Sequence, residues 1–120
     1  MSEFDSYLRG WHRRWEERQQ ADAASARQAR RIAESLARTL LQRYGARRVV
    51  LVGSLARGEF VAGSDIDLAA EGIPPERFFR AGADLEAAAG GLHVDLIPIE
   101  SANADFLADL HRDGIVLQGA

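Results

Sequence analysis

A hydrophobic run that stops at a Gly-Ser pair, with two alternating aspartates at a set distance beyond it, constrains this chain most. The run Val49–Val52 has the composition of a buried strand, and Gly53-Ser54 ends it. Ten residues separate Ser54 from Asp65, where a second strand begins. Because alternate side chains of a strand share a face, Asp65 and Asp67 point to the same side. The segment therefore predicts a strand, a short helical turn and a strand that presents two carboxylates together.

These residue types suit phosphate and metal chemistry. A small turn that leads from a strand into a helix exposes backbone N–H groups, which bind anions. Two neighbouring carboxylates resist joint ionisation unless a cation lies between them. Mg²⁺ prefers carboxylate oxygens and commonly shares its shell with substrate phosphates. Gly53-Ser54 and the Asp65–Asp67 pair therefore predict a site for a nucleoside triphosphate and Mg²⁺.

The same segment resembles the signature of the nucleotidyltransferase superfamily that includes DNA polymerase beta. It is most similar to the small bacterial branch, the minimal nucleotidyltransferases (MNT proteins), whose pattern is Gly-Ser, ten residues and Asp-x-Asp. Gly53, Ser54, Asp65 and Asp67 meet this pattern, and the resemblance extends over residues 30–117. It implies an α/β (α+β) nucleotidyltransferase fold, in which helices flank a small mixed β-sheet, here preceded by a long N-terminal helical segment.

The resemblance also implies a third carboxylate on a later strand, and Asp95 fits that place. Val94 and Leu96 are apolar and are expected to face the core, so the Asp95 side chain should emerge on the opposite face. Three converging carboxylates would suit phosphoryl transfer with two Mg²⁺ ions. His93 shares the face of Asp95; it would line the acceptor pocket or lie on the rim without a role, and we expect the second.

The predicted site consists of catalytic and metal-binding carboxylates and of residues that hold the nucleotide. The carboxylates are Asp65, Asp67 and Asp95, and the nucleotide-binding residues are Gly53, Ser54, Arg57 and Ser64. Arg57 would place positive charge against the leaving pyrophosphate or would be solvent-exposed. Ser64 would cap or orient the aspartate pair.

Composition narrows the class of protein. The 120 residues are 47% hydrophobic, so we expect one domain over residues 1–120, with N-terminal helices in 1–45 and a catalytic core in 46–120. The chain lacks Cys and Lys, which excludes disulfides, a Walker A loop and a Schiff-base lysine. No apolar stretch is long enough to span a membrane, and no signal peptide is present, so the expected location is the cytoplasm.

Charge is unevenly distributed along the chain. Up to Arg48 there are eleven Arg and six acidic residues, a balance of +5, and the remainder has four Arg and twelve acidic residues, a balance of −8. An acidic part that contains the aspartates suits a cation site. We interpret the basic part as a solvated helix face and do not expect direct nucleic-acid binding.

Periodicity predicts the remaining elements. An aromatic stripe marks a first amphipathic helix, which either packs on its own core or recognises a partner protein; it consists of Phe4, Tyr7, Leu8, Trp11 and Trp15. A second helical stripe ends at Gly45. A helix that begins at Pro74-Pro75 should turn Phe78, Phe79 and Leu85 inward. Ser101 is expected to N-cap a last helix, and residues 115–117 to form a fourth strand.

We do not expect 120 residues to include an additional domain that could bind the acceptor of the nucleotide. The resemblance implies that the acceptor belongs to another protein, since MNT proteins are typically paired with HEPN-domain toxins and can transfer AMP from ATP to a tyrosine of that toxin. Two alternatives remain open. The chain would either neutralise its partner by contact alone, without catalysis, or modify a small molecule such as an antibiotic as an oligomer.

Overall fold

The computed structural model describes residues 2–119, so the two end residues of the expected 1–120 domain lie outside the described part. Four helices, four strands and one 3₁₀ turn follow one another in these residues. In chain order they are α1 Glu3–Tyr44, β1 Arg48–Val52, α2 Gly53–Arg57, β2 Ile66–Glu71, α3 Pro75–Ala88, β3 Val94–Pro98, the 3₁₀ turn Ile99–Ser101, α4 Ala104–Asp113 and β4 Ile115–Gly119.

The N-terminal segment is one continuous helix, α1, so the expectation of several helices in residues 1–45 is wrong. Ser2 and Asp5 form a capping box at its start, and Gly45 ends it in the left-handed region. Between the two predicted stripes the sequence is rich in Ala, Gln, Arg and Glu, which are good helix formers and offer no break. Gly10 weakens the helix by about 1 kcal/mol but does not interrupt it.

The sheet is mixed, as expected, with the strand order β3-β2-β1-β4. Strand β1 pairs antiparallel with both β2 and β4, whereas β2 and β3 run parallel. The helix α3 makes the crossover between these two parallel strands. In this arrangement β3 lies at one edge of the sheet, next to β2, which begins directly after Asp65.

Two layers of apolar side chains cover the sheet. The larger cluster packs α1 and α3 on one face, with Leu40, Tyr44 and Leu85 among its fully buried side chains. A smaller cluster packs the α4 side chain Leu110 on the other face, against Val50 and Ala69. Since alternate residues of a strand share a face, Asp67 lies on the α4 side of β2 together with Ala69.

The N-terminal part of α1 extends away from this body. The first buried residue of α1 is Ala29, and the stripe from Phe4 to Trp15 is 38–66% exposed. The structure spans 66 Å along its longest axis and 30 Å along the next. The alternative in which the first helix packs only on its own core is therefore wrong.

Two further expectations fail for identifiable reasons. Phe79 is 90% exposed, because the inward positions of α3 are Ala81 and Leu85 with Phe78 half-buried, and Phe79 lies off that stripe. Ser101 belongs to the 3₁₀ turn, and the side chain of Asn103 caps α4 by accepting a hydrogen bond from the Phe106 N–H at 2.8 Å. In residues 2–119 no helix has the length and apolarity to cross a bilayer.

Candidate active site

The parallel pairing of β2 and β3 brings the predicted carboxylates together. In its register Asp67 lies directly opposite Asp95, and Ile66 lies opposite Val94. The two carboxyl groups therefore lie on the same face of the sheet, on neighbouring strands. Asp95 is exposed while Val94 is buried, as the apolar flanks predicted.

Asp65 completes the group from a position just before β2. Carboxylate oxygens of Asp65 and Asp95 and a ring nitrogen of His93 all lie within 4.8 Å of one another. Such a group of ligand atoms fits around a single cation. The structure thus brings Asp65 and Asp95 together with His93 in one group, while Asp67 lies beside that group, opposite Asp95.

The turn after β1 lies against the second aspartate. Val52 pairs with Asp67 across the antiparallel ladder, so Gly53 follows directly beside it. Gly53 has a φ of 74°, and the space where its Cβ would be is taken by the Asp67 carboxylate. The hydroxyl of the half-buried Ser54 has no hydrogen-bond partner among the described residues.

Crowding of negative charge perturbs Asp67. Burial is the largest cause, and the neighbouring carboxylates of Asp95 and Asp65 add to it; together they raise the pKa of Asp67 from 3.8 to about 6. The positive charge of Arg57 acts in the opposite direction and lowers the pKa of Asp67. A pair of carboxylates that cannot both ionise readily is the electrostatic condition that a bound cation relieves.

Of the other two predicted nucleotide-binding residues, Arg57 is the last residue of α2 and Ser64 lies on the loop between α2 and β2. Arg57 forms an ion pair with Glu59, with 3.1 Å between Nε and Oε2. The Ser64 hydroxyl accepts a hydrogen bond from the Val61 N–H at 3.0 Å and so closes the turn that leads into β2. Nucleotide contacts by Arg57 and Ser64 stay predictions.

Sequence reasoning missed Glu86 on α3. Its carboxylate oxygen Oε1 lies 2.5 Å from Nδ1 of His93 and accepts a hydrogen bond from the Val94 N–H at 3.1 Å. This contact orients the imidazole so that its Nε2 lies 3.4 Å from Asp95 Oδ1. The sequence separation of Glu86 and His93 does not predict this contact, because the contact depends on how α3 packs on the edge of the sheet.

An open groove between α3 and β3 adjoins the carboxylates. It has a volume of about 470 Å³, and Phe78, Phe79 and Leu96 provide apolar walls. His93 and Asp95 line the same groove, so it opens onto the carboxylate group. The exposed ring of Phe79, misplaced by the sequence analysis, forms part of its outer wall.

The residues present fit a hard divalent cation. Asp65 and Asp95 supply carboxylate oxygens and His93 supplies one nitrogen, all within 4.8 Å of one another, and the neighbouring Asp67, which is not part of that group, has a raised pKa that marks a charge the protein leaves unbalanced. Arg57 cannot balance it alone, since it is already paired with Glu59. The open side of the site leaves room for ligands from a substrate, as catalytic Mg²⁺ sites require.

Comparison with known proteins identifies the family and agrees with the fold. The family model described as "Nucleotidyltransferase domain" matches residues 33–117. The fold is similar to that in a crystal structure of a toxin–antitoxin with AMP-PNP, with a TM-score of 0.64 at 24% identity over 72% of this chain and 73% of that chain. It is also similar to a tri-AMPylated Shewanella oneidensis HEPN toxin in complex with MNT antitoxin, with a TM-score of 0.53 at 21% identity over 72% and 66% of the two chains. No curated protein sequence matches the chain.

Proposed function

The chain belongs to the nucleotidyltransferase domain family, and we propose that it is a Mg²⁺-dependent enzyme that transfers AMP from ATP to a hydroxyl of a partner protein. The observation that carries this proposal is the convergence of Asp65, Asp67 and Asp95 beside the Gly53-Ser54 turn. Family membership supports nucleotidyl transfer in general. We further propose that ATP is the donor, that the acceptor is a protein and that the chain acts in the cytoplasm.

Asp65 and Asp67 would hold the cation that accompanies the triphosphate. Mg²⁺ bound there would neutralise phosphate charge and lower the pKa of the attacking hydroxyl, with a second ion shared by Asp95. The free hydroxyl of Ser54 and the N–H groups of its turn are available to the phosphate oxygens. Arg57, at the end of α2, would approach the pyrophosphate once the nucleotide competes with Glu59 for its guanidinium.

Asp95 would act on the acceptor side. The acceptor oxygen forms a bond to the α-phosphorus, the bond from that phosphorus to the bridging oxygen breaks, and pyrophosphate leaves. The proton of the acceptor hydroxyl moves to a carboxylate oxygen of Asp95. Glu86 supports this role by fixing His93 beside Asp95. The chain otherwise contributes positioning and charge stabilisation.

The groove between α3 and β3 favours an acceptor carried by another protein. It is open, has apolar walls and leads to Asp95, which suits an aromatic side chain such as tyrosine presented on a neighbouring surface. Proteins of similar fold occur in toxin–antitoxin complexes, one of them with a tri-AMPylated HEPN toxin. We therefore propose that the chain is an antitoxin and that a HEPN-domain toxin is its partner and acceptor.

A labelling experiment tests this function. The purified chain is incubated with the small helical protein encoded beside it, Mg²⁺ and ATP labelled on the α-phosphate. We expect label on the partner protein, and none with Asp67→Asn or with chelator. Neutralisation of the partner without label would assign a non-catalytic antitoxin. Label on a small hydroxylated molecule, with none on the partner, would assign a small-molecule transferase instead.

A further inference from the structure

The first sixteen residues of α1, Glu3–Arg18, form an arm that the catalytic body does not use. The family match begins at residue 33, and the similar structures cover 72% of this chain. A 42-residue helix is about 63 Å long, close to the 66 Å extent of the whole structure. The first buried residue of α1 is Ala29, eleven residues beyond the end of the arm. The arm is therefore a separate feature of this chain.

The arm carries the pattern of a coiled-coil seam. Phe4, Leu8, Trp11 and Trp15 follow one another at spacings of four, three and four residues, which is the alternation of d and a positions in a heptad repeat. Trp11 and Trp15 are each 47% exposed and Phe4 is 66% exposed, although they occupy the positions that a partner helix would cover. This periodicity matches a helical partner better than a flat surface.

The seam lies on the same side of α1 as the face that packs on the sheet. Eighteen residues make five helical turns, so Trp11 lies in line with Ala29 and Trp15 lies in line with Ala33. Both alanines are fully buried in the core. A helix that covers the seam would therefore pack against the same face of α1 as the β-sheet does, further towards the N-terminus of α1.

The charges of the arm are self-complementary in one orientation only. Its four arginines and four acids cancel, so it has no net charge with which to select an acidic or a basic partner. If two arms run antiparallel with Phe4 opposite Trp15 and Leu8 opposite Trp11, Asp5 of one comes beside His12 of the other. On the opposite flank Tyr7 comes beside Arg14, a cation–π pair. A parallel pair would instead place Arg18, at the next d position of the heptad, against its own copy.

We propose that the arm is a dimerisation element, in which two copies of this chain pair their Glu3–Arg18 segments as a short antiparallel coiled coil. Such an interface is isologous, since each seam meets itself across a two-fold axis between residues 9 and 10. The exposed parts of the four aromatic side chains of the arm offer about 400 Å² for each arm; they are Phe4, Tyr7, Trp11 and Trp15. Two arms bury about 800 Å², below the roughly 1,600 Å² of a standard interface, which is the size range of weak and transient interfaces.

The pairing leaves both catalytic sites open. From the two-fold axis to Ala29 is about 30 Å along each helix, so the two bodies lie at opposite ends of the coiled coil, about 60 Å apart. No residue of the carboxylate group lies in the interface. The dimer would present two independent sites, which increases avidity for a partner that is itself symmetric.

Molecular mass measured by light scattering over a wide concentration range tests the dimer. We expect the parent to move from 13.2 kDa towards twice that mass as concentration rises. Trp11→Ala with Trp15→Ala should remain monomeric, whereas Phe79→Ala, an exposed aromatic outside the arm, should dimerise like the parent. A parent that stays monomeric, or a double variant that still dimerises, overturns the proposal.

Disulfide trapping tests the orientation, because the chain contains no cysteine of its own. A mixture of Leu8→Cys and Trp11→Cys chains should form the mixed disulfide faster than either chain forms its own. Preference for the like pairs would mean parallel arms and would refute the antiparallel pairing. If the parent is monomeric and Trp11→Ala with Trp15→Ala abolishes binding of the partner protein, the seam binds that partner and not a second copy of this chain.

Discussion

The carboxylate of Asp67 occupies the space that a side chain at position 53 would need. A Cβ built on Gly53 would lie 3.1 Å from Cγ of Asp67 and closer still to its Oδ2. The φ of Gly53 is 74°, a region that L-residues rarely adopt. Two independent reasons, one steric and one conformational, therefore require glycine here, and the steric one couples the turn after β1 to Asp67 on β2.

Gly53→Ala should displace Asp67 and disable the site. The positive φ alone costs about 1–2 kcal/mol for a non-glycine residue, and the collision with Asp67 adds to it. Gly58→Ala is the matched control, since Gly58 has a φ of 77° but no atom within 4 Å of the Cβ position. Thermal unfolding with and without Mg²⁺ and ATP should show stability loss for both variants and loss of ligand response only for Gly53→Ala. Equal behaviour of the two would show that Asp67 keeps its place.

Mg²⁺ with ATP should stabilise the parent chain. A ligand at 100 times its Kd adds about 2.7 kcal/mol, which raises the Tm of a domain of this size by about 10 °C. Asp65→Asn and Asp67→Asn remove carboxylate ligands, so each should lose most of this shift, and the double variant should lose all of it. An undiminished shift in the double variant would move the nucleotide site elsewhere. ATP without metal serves as the control.

Without metal, Asp67→Asn should be more stable than the parent at neutral pH. The folded pKa of Asp67 is about 6, against an ordinary value of 3.8, so the folded chain binds more protons between these values. Stability contributed by the protonated group is full below the ordinary pKa and is lost as pH rises through about 6. Asparagine cannot ionise and escapes this loss.

The difference in Tm between Asp67→Asn and the parent, measured in chelator, should therefore be small near pH 4 and grow towards pH 7. Other titrating groups cancel in that difference, which isolates Asp67. Excess Mg²⁺ with ATP should reverse its sign at pH 7. A difference that is constant with pH would mean that Asp67 has an ordinary pKa in the folded chain.

Asp95→Asn should reduce the rate much more than nucleotide binding. Asp95 lines the α3–β3 groove and Asp67 adjoins the Gly53 turn, and in the proposed mechanism Asp95 is the group that accepts the proton of the acceptor hydroxyl. General-base catalysis typically contributes about 10²–10⁴-fold, and label transfer should fall by that order while ATP still raises the Tm. Equal loss of ATP affinity in Asp65→Asn, Asp67→Asn and Asp95→Asn would reject this division of roles.

Phe79→Ala should weaken use of the acceptor without affecting ATP. The ring is 90% exposed and borders the groove that leads to Asp95. Loss of an aromatic anchor at an interface commonly costs 1–2 kcal/mol or more, about 5–30-fold in affinity. The KM for the partner protein should rise while the ATP response stays intact. Val116→Ala, which is also exposed but lies on β4 at the far edge of the sheet, should change neither.

The local part of the site could be predicted from the sequence. Strand alternation places Asp65 and Asp67 on one face whatever surrounds them, and the apolar neighbours Val94 and Leu96 direct Asp95 away from the core. The resemblance to nucleotidyltransferases added the mixed sheet and the family, which the matched residues 33–117 confirm. These features depend on residues near one another in sequence or on a motif of set spacing.

Contacts between distant segments were decided only by tertiary structure. That Asp95 lies opposite Asp67 depends on β3 pairing parallel with β2, and the Glu86–His93 contact depends on how α3 crosses the sheet edge. Helical periodicity placed Phe79 on the wrong side, since a one-position error on a helix rotates a side chain by about 100°. The aromatic stripe of α1 was recognised as a face, but periodicity says which residues share a face and cannot say whether the rest of the chain covers it. In the folded chain the body begins at Ala29, so that stripe is left uncovered.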